Sequence, residues 1–275
     1  MPALREGDLL ITGASRGIGQ RIAWDLASPR HHLILTARDP DGLATTVAGV
    51  EARGGTAEVL VGDVTDHAHE DAILSRLEKA SSVAGVVLNA GIEHTCAIED
   101  QTAAQVRQQV EVNLLAPLQL TRRLVPMLRQ QGYGAICLIS SMSGKAPTPW
   151  NAVYTATKHG LVGFAASVRI ELAGSGVTIG TVCPSFVAEA GMWHSFGLQA
   201  PPMLREVPMD RVLSGVRDVL NGKGEVLASP GPVRLLLALS ALFPGLDQPV
   251  LRTMGVLDVL KQRALAARQG DQDAS

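Results

Sequence analysis

The chain has no excess of charge of either sign. A formal net charge of −2 over 275 residues gives no electrostatic footing for nucleic acid, so that partner is not expected. Cysteine is scarce: Cys96, Cys137 and Cys183 are odd in number, form no Cys-x-x-Cys pair, and two of them sit in apolar runs. This pattern argues against a disulfide framework or a zinc cluster and suits small core residues in a reducing compartment, with no metal expected. Long hydrophobic runs are also missing. None approaches the ~20 residues of a membrane-spanning helix, and Met1-Pro-Ala-Leu-Arg-Glu-Gly-Asp8 has no apolar segment of signal-peptide length. What is left is globular composition, 46% hydrophobic and 18% charged, which sets disorder aside. The expectation is one cytoplasmic domain.

What is present first is a strand-like run, Asp8-Leu-Leu-Ile-Thr12, ending in Gly13-Ala-Ser15-Arg16-Gly17-Ile18-Gly19, after which Ile22, Ala23 and Leu26 follow at helical core spacing. Strand, glycines and helix N-terminus together present backbone N–H groups and a helix dipole to a phosphate. The spacing is G-x-x-x-G-x-G rather than the common G-x-G-x-x-G. A second strand, His32–Arg38, ends on Ala37 and Arg38, where an NAD-preferring site carries a carboxylate. With Arg16 in the glycine turn, two guanidiniums suit a 2′-phosphate, so the expected cofactor is NADP(H). The plainer reading of Arg38 is a solvated helix start.

Helix and strand then alternate. A helix over about 43–53, a strand 58–62 ending at Asp63-Val64, a helix over about 67–80 and a strand 83–88 ending at Asn89-Ala90-Gly91 predict a doubly wound parallel sheet. Asp63 is placed to accept from an adenine amino group, and the small residues 89–91 permit close approach of a cofactor. A long helical segment over about 103–130 holds Asn113 and, four residues on, Pro117. Proline has no amide for the Asn113 carbonyl, leaving it free to hold a water. The run 138–139 delivers Ser140-Ser141-Met142-Ser143, and the next helix carries Tyr154 and Lys158, four apart and so on one face. A nearby ammonium should lower the phenol's pKa from its ordinary ~10 and make it a usable proton donor or acceptor.

A strand over 177–183 leads to Pro184-Ser185-Phe186-Val187. Residues 188–209 then turn apolar, proline-rich and irregular, including Met192, Trp193, His194, Phe196, Pro201, Pro202 and Met203, and read as a substrate lid or as ordinary loop packing. A helix 210–220 and a strand 225–228 complete the sheet. Residues 234–243 are too apolar for an exposed helix, 246–260 are apolar at helical spacing, and the last dozen residues are polar and expected to fray. This tail can cap the pocket, pack on a second subunit, or lie on a membrane surface through 233–260, in that order of preference. The division expected is a dinucleotide-binding and catalytic domain over 1–228 and an apolar helical extension over 229–275.

Taken in order, Thr12-Gly-Ala-Ser-Arg-Gly-Ile-Gly19, Asp63, Asn89-Ala-Gly91, Asn113, Ser141, Tyr154-x-x-x-Lys158 and Pro184 resemble the short-chain dehydrogenase/reductase family of the Tyr-x-x-x-Lys type, over about Asp8 to Ala228. The resemblance implies Tyr154 as general acid/base and Ser141 as a hydrogen-bond donor to the substrate oxygen. It implies that Lys158 lowers the Tyr154 pKa and holds the nicotinamide ribose, while Asn113 anchors a relay water. It further implies a small-molecule ketone or alcohol substrate and a homodimer or homotetramer. Two departures stand out: Ser185 replaces the glycine after Pro184, and Glu189 stands where a threonine helps hold the nicotinamide amide, leaving that task to the backbone of Val187. The expected activity is NADPH-dependent reduction of a lipophilic or acyl-type ketone. The alternatives are oxidation of a secondary alcohol, as in a hydroxysteroid dehydrogenase, a catalytically silent cofactor-binding regulator, or a membrane-surface binding protein built on the tail.

Overall fold

In the computed structural model, residues 4–189, 205–231, 233–243, 245, 247–253 and 255–273 are described. The lid expected over 188–209, with Met192, Trp193, His194, Phe196 and Pro201–Met203, falls largely outside them. Seven strands, β1 (Asp8–Thr12), β2 (His32–Ala37), β3 (Thr56–Val61), β4 (Val83–Leu88), β5 (Gly134–Ile139), β6 (Val177–Pro184) and β7 (Glu225–Ala228), form one sheet in the order β3-β2-β1-β4-β5-β6-β7. Every pairing is parallel. Parallel strands need crossovers, and these are α1 (Gly17–Leu26), α2 (Pro40–Glu51), α3 (His67–Glu78), α4 (Ala103–Val110), α5 (Ala116–Gln131), α6 (Ala152–Glu171) and α7 (Met209–Leu220). Three more helices follow β7: α8 (Val233–Leu242), α9 (Asp247–Thr253) and α10 (Val256–Asp273).

The strands alternate their side chains between two cores. Leu9 and Ile11 point to one face, where Ile22, Leu43, Val212 and Val216 of α1, α2 and α7 pack. Leu10 points to the other, against Ile73, Leu124 and Leu161 of α3, α5 and α6. Because both faces are covered, β4 and β5 are buried along their whole length, and their sequences read as unbroken apolar runs. The sheet order reverses where the chain leaves β3 at one edge and returns as β4 beside β1. That switch point leaves a crevice at the strands' carboxyl ends.

Two elements differ from the sequence reading. The segment over 103–130 is not one regular helix: between α4 and α5 lies a π-type turn, Glu111–Leu115, where the Ala116 amide reaches back five residues to Glu111 O. Pro117 has no amide for the Asn113 carbonyl, so the regular ladder is broken there and a widened turn takes its place. At the C-terminus, α10 runs on through Asp273 where fraying was expected. Residues 262–269 are Gln, Arg, Ala and Leu, all good helix formers, and carry the helix into 270–273. No helix among the described residues is long and apolar enough to cross a membrane.

Candidate functional site

The glycine turn after β1 is shaped by two left-handed residues, Gly13 (φ +65°) and Gly17 (φ +60°), a conformation that side chains resist. Gly19 is needed for a different reason: a Cβ there would overlap Gly13 O and the Asn89 amide group. Asn89, at the end of β4, clamps the turn by donating from Nδ2 to Thr12 O and Gly13 O, both at 3.1 Å. Thr12 Oγ1, buried, returns the contact by accepting from the Asn89 and Ala90 amides at 3.0 and 3.1 Å. The N-terminus of α1 has Arg16 at its cap with no side-chain bond and no acidic residue in the first turn. Its N–H groups and positive dipole end therefore suit a phosphate, and Ser15 lies beside them with its carbonyl facing Gly42.

Arg16 and Arg38 are both exposed at this end of the sheet. Arg38 Nη1 lies 3.5 Å from Asp63 Oδ2, and Asp63 Oδ1 accepts from the Thr65 amide and hydroxyl at 2.9 and 2.8 Å. Burial pushes the Asp63 carboxyl up, but the Thr65 bonds and the Arg38 charge outweigh it and hold the group below the usual carboxylate range. The Arg38 guanidinium keeps 61% of its side-chain surface exposed, so donors remain for an anionic ligand. Val64, next along, opens on a separate small cavity shared with Thr12 and Ala90.

The main cavity, about 260 Å³, runs from the glycine turn along the ends of β4, β5 and β6. Of the residues picked out from the sequence, Ile18, Asn89, Gly91, Ser141, Tyr154, Lys158, Pro184 and Val187 line it together. Tyr154 and Lys158 share a face of α6 as their spacing requires, with Lys158 Nζ 5.5 Å from the centre of the phenol ring. Both are buried, at 6% and 3% exposure. Lys158 Nζ donates to Ile139 O at 2.9 Å, which ties the amine to the end of β5. Ser140 Oγ donates to Lys158 O at 3.0 Å, holding that helix turn against the same strand. The Ser141 hydroxyl lies beside Tyr154, where it acts against the rise of the phenol's pKa, and it accepts from the Ser143 amide at 3.1 Å.

The electrostatics reverse one expectation. Burial pushes the Tyr154 phenol well above its ordinary value, and the Glu93 carboxylate adds to the rise, with the Ser141 hydroxyl and the Arg263 charge acting against it. Lys158 is itself pulled down to about 8 by burial. Proximity to an ammonium argued for a lowered phenol; burial sets the direction instead.

Asn113 sits in the widened turn Glu111–Leu115, and its side chain has a structural task besides the one expected of its carbonyl. Its side chain is enclosed, accepting from the Ile92 amide and donating to Ile92 O, both at 2.8 Å. This pins the chain just after Gly91 to the π turn. It stands behind the cavity; a Cβ on Gly91 would come within 3.4 Å of its Oδ1 and 3.7 Å of Lys158 Nζ. Beyond β6, Val187 is buried and bridges to Val207, while Glu189 is exposed.

Several residues of the site had no clear signal in the sequence. Asn151 is 2% exposed and lines the cavity. Its Oδ1 accepts from Thr95 at 2.9 Å, while its Nδ2 has no protein partner among the described residues. It follows Trp150, whose φ of +61° is costly for a bulky residue and whose carbonyl accepts from the Cys96 amide at 2.9 Å. Glu93 and Arg263 line the cavity too. Glu93 follows Asn89-Ala-Gly91 closely enough to have been suspected; nothing pairs it with position 263 in the sequence. Of the positions open to the tail, the described part of α8–α10 takes the first, lining the cavity with Leu236, Leu237, Leu251 and Leu260. Its outer row, Leu235, Leu239, Leu242 and Phe243, is exposed. Among the described residues, no group of three or more His, Cys, Asp or Glu could hold a metal ion.

Comparison with known proteins places these features in a group. Residues 8–200 match the family described as "short chain dehydrogenase". A ketoacyl reductase HetN of Nostoc sp. is 32% identical over 271 residues, covering 96% of this chain and 94% of its own. A 3-oxoacyl-[acyl-carrier-protein] reductase of Synechocystis sp. is 31% identical over 213 residues, 77% of this chain and 85% of its own. Among solved structures, a metagenomic short-chain oxidoreductase in complex with NADP superposes with a TM-score of 0.71 at 30% identity, covering 84% of this chain and 99% of that one. The glycine turn clamped by Asn89 and the hydroxyl pair over the carboxyl end of β5 are thus set in a chain that belongs to the short-chain dehydrogenase/reductase family.

Proposed function

We propose that this protein is an NADPH-dependent ketoreductase acting on a lipophilic or acyl-type ketone, with Tyr154 as general acid. One observation carries the reading: Tyr154 and Ser141, side by side, line a cavity that joins the nucleotide turn to an apolar wall. Residues 1–228 are taken as the cofactor-binding and catalytic part and 229–275 as the extension that supplies the wall.

The nucleotide site fits the cofactor on chemical grounds. The space beside Gly13 and Gly19 has no room for side chains, the first turn of α1 offers unspent N–H groups, and Arg16 and Arg38, both exposed, would hold a 2′-phosphate between them. No carboxylate occupies the end of β2 to claim a ribose 2′-hydroxyl. When bound, NADPH supplies the hydride. Ser141 and Tyr154 then hold the substrate's carbonyl oxygen by two O–H donors, stabilising negative charge as it develops there. Tyr154 passes its proton to that oxygen. Its raised pKa keeps the phenol protonated at working pH, the form a reduction requires. Lys158, fixed by Ile139 O, brings its ammonium beside the phenol, where it stabilises the phenolate left after proton transfer. Asn113 holds the Gly91–Ile92 backbone at the cavity's edge. The Nostoc and Synechocystis relatives are named for ketoacyl and 3-oxoacyl groups, which supports an acyl-type ketone here.

The test is NADPH consumption, followed by absorbance, with a panel of ketones and 3-oxoacyl thioesters. Tyr154→Phe is expected to lose about 10²–10⁴-fold in turnover while binding NADPH as the wild type does. Near-normal turnover in that variant would refute the assignment.

A further inference from the structure

The C-terminal segment sends one charged side chain into the cavity. Arg263 of α10 has 4% of its side-chain surface exposed and Glu93 has 8%. They meet bidentately, Nη1 donating to Oε1 at 3.0 Å and Nη2 to Oε2 at 2.9 Å. Glu93 stands just past the Asn89-Ala90-Gly91 end of β4, 170 positions away in the chain. Removing two charges from water commonly costs as much as the pair returns, so stability alone is a poor reason for the contact. Its geometric effect is definite: it fastens α10 to the loop that borders the nucleotide turn. The helices fastened in this way present Leu236, Leu237, Leu251, Val256 and Leu260 to the same cavity that Tyr154 and Ser141 face.

We propose that the Glu93–Arg263 pair is a latch that closes α8–α10 over the cleft, and that the wall so held binds the saturated chain of an acyl substrate. The inference rests on the ketoreductase reading and adds the element that sets its chain-length preference. The ion pair lies near enough to Tyr154 for both its charges to act on the phenol, and Thr95 links Glu93 to Asn151, so these polar groups and Ser141 share one part of the cavity. Among the described residues, the wall from the three C-terminal helices is aliphatic apart from Ser240 and Arg263. A ligand with one polar end and an unbranched apolar remainder matches this division better than a fused-ring ketone with oxygens at both ends. Glu93 and Arg263 are positioning residues here: they hold the helices, and the effect of their charges on Tyr154 is the same whatever the substrate's chain length.

The experiment uses the full chain and compares wild type, the double variant Glu93→Gln/Arg263→Met and the single variant Leu260→Trp. The double variant removes both charges, avoiding the unpaired buried ion that either single change would leave; Leu260→Trp leaves the latch intact and fills the wall. Turnover is measured with four-carbon and twelve-carbon 3-oxoacyl thioesters and with a steroid ketone, and chain binding is read separately by cis-parinaric acid fluorescence. In both variants the loss of kcat/KM for the twelve-carbon substrate should exceed that for the four-carbon one by roughly tenfold or more, mainly in KM, as expected when a few methylenes lose their contacts. Parinaric acid should bind the wild type and bind both variants more weakly. Equal losses at both chain lengths, preference for the steroid, or parinaric binding unchanged in the variants or absent from the wild type would overturn the proposal. If the wild type reduces no ketone, the ketoreductase reading fails by itself, while parinaric binding still decides whether the latched wall holds a chain.

Discussion

Lys158→Met isolates the cost of burying the amine beside Tyr154. The methionine side chain has similar length and no charge. The fall of the Lys158 pKa from 10.5 to about 8 corresponds to about 3 kcal/mol of penalty for holding the charged form in the folded state at pH 7. Losing the bond from Nζ to Ile139 O offsets about 1.5 kcal/mol of that gain. The variant should therefore be more stable than wild type by about 1–2 kcal/mol at pH 7, while losing most turnover. The pH dependence follows from the sign of the shift. Between about 8 and 10.5 the unfolded chain keeps the lysine proton and the folded chain does not, so wild-type stability rises with pH across that window. Tyr154, shifted the other way, acts above its ordinary value of 10 and is common to both proteins. From pH 7 to pH 10 the variant's advantage should shrink by about 2–3 kcal/mol, enough to reverse the order of stabilities. Urea unfolding of the cofactor-free proteins, followed by far-UV circular dichroism at the two pH values, gives both numbers. A variant less stable than wild type at pH 7, or a difference that does not change with pH, would refute the reasoning.

Three further outcomes follow from the site. Arg38→Asp should weaken NADPH binding by roughly 10–100-fold, the worth of one or two charge-assisted bonds, and change NADH binding much less, as read by calorimetry. Ser141→Ala should lower kcat by about 10²–10³-fold with little change in cofactor affinity, because it removes a donor aimed at charge that develops only during the reaction. Gly19→Ala drives a methyl group into Gly13 O and the Asn89 side chain, so it should destabilise the fold by about 1–3 kcal/mol and abolish tight NADPH binding, seen as the loss of a cofactor-dependent rise in Tm.

The ends of the strands were legible because each is marked twice: an apolar run stops, and a residue with one special property begins. Gly13, Asn89, Ser141 and Pro184 all stand at such junctions, and a parallel sheet necessarily gathers its carboxyl ends on one side. The pairing of Tyr154 with Lys158 was legible for the same kind of reason, since a helix puts residues four apart on one face whatever surrounds it. Local rules of period and turn chemistry were enough for these.

What depended on distant surroundings could not be read in that way. The direction of the Tyr154 shift is set by how completely the folded chain removes water from the phenol and by where Glu93 lands, neither of which has a local signature. The Asn113 side chain, in the widened turn Glu111–Leu115, bonds the backbone of Ile92, a contact with no local signature. The tail showed only that it must hide apolar surface; the contact of Arg263 with Glu93, made across 170 positions, places one side of it on the cavity. The sequence by itself determined the sheet, the glycine turn and the four-residue spacing of phenol and amine, because those follow from backbone geometry. Tertiary structure alone decided their protonation and the wall they face, because desolvation and ion pairing act through space between groups whose separation along the chain carries no information.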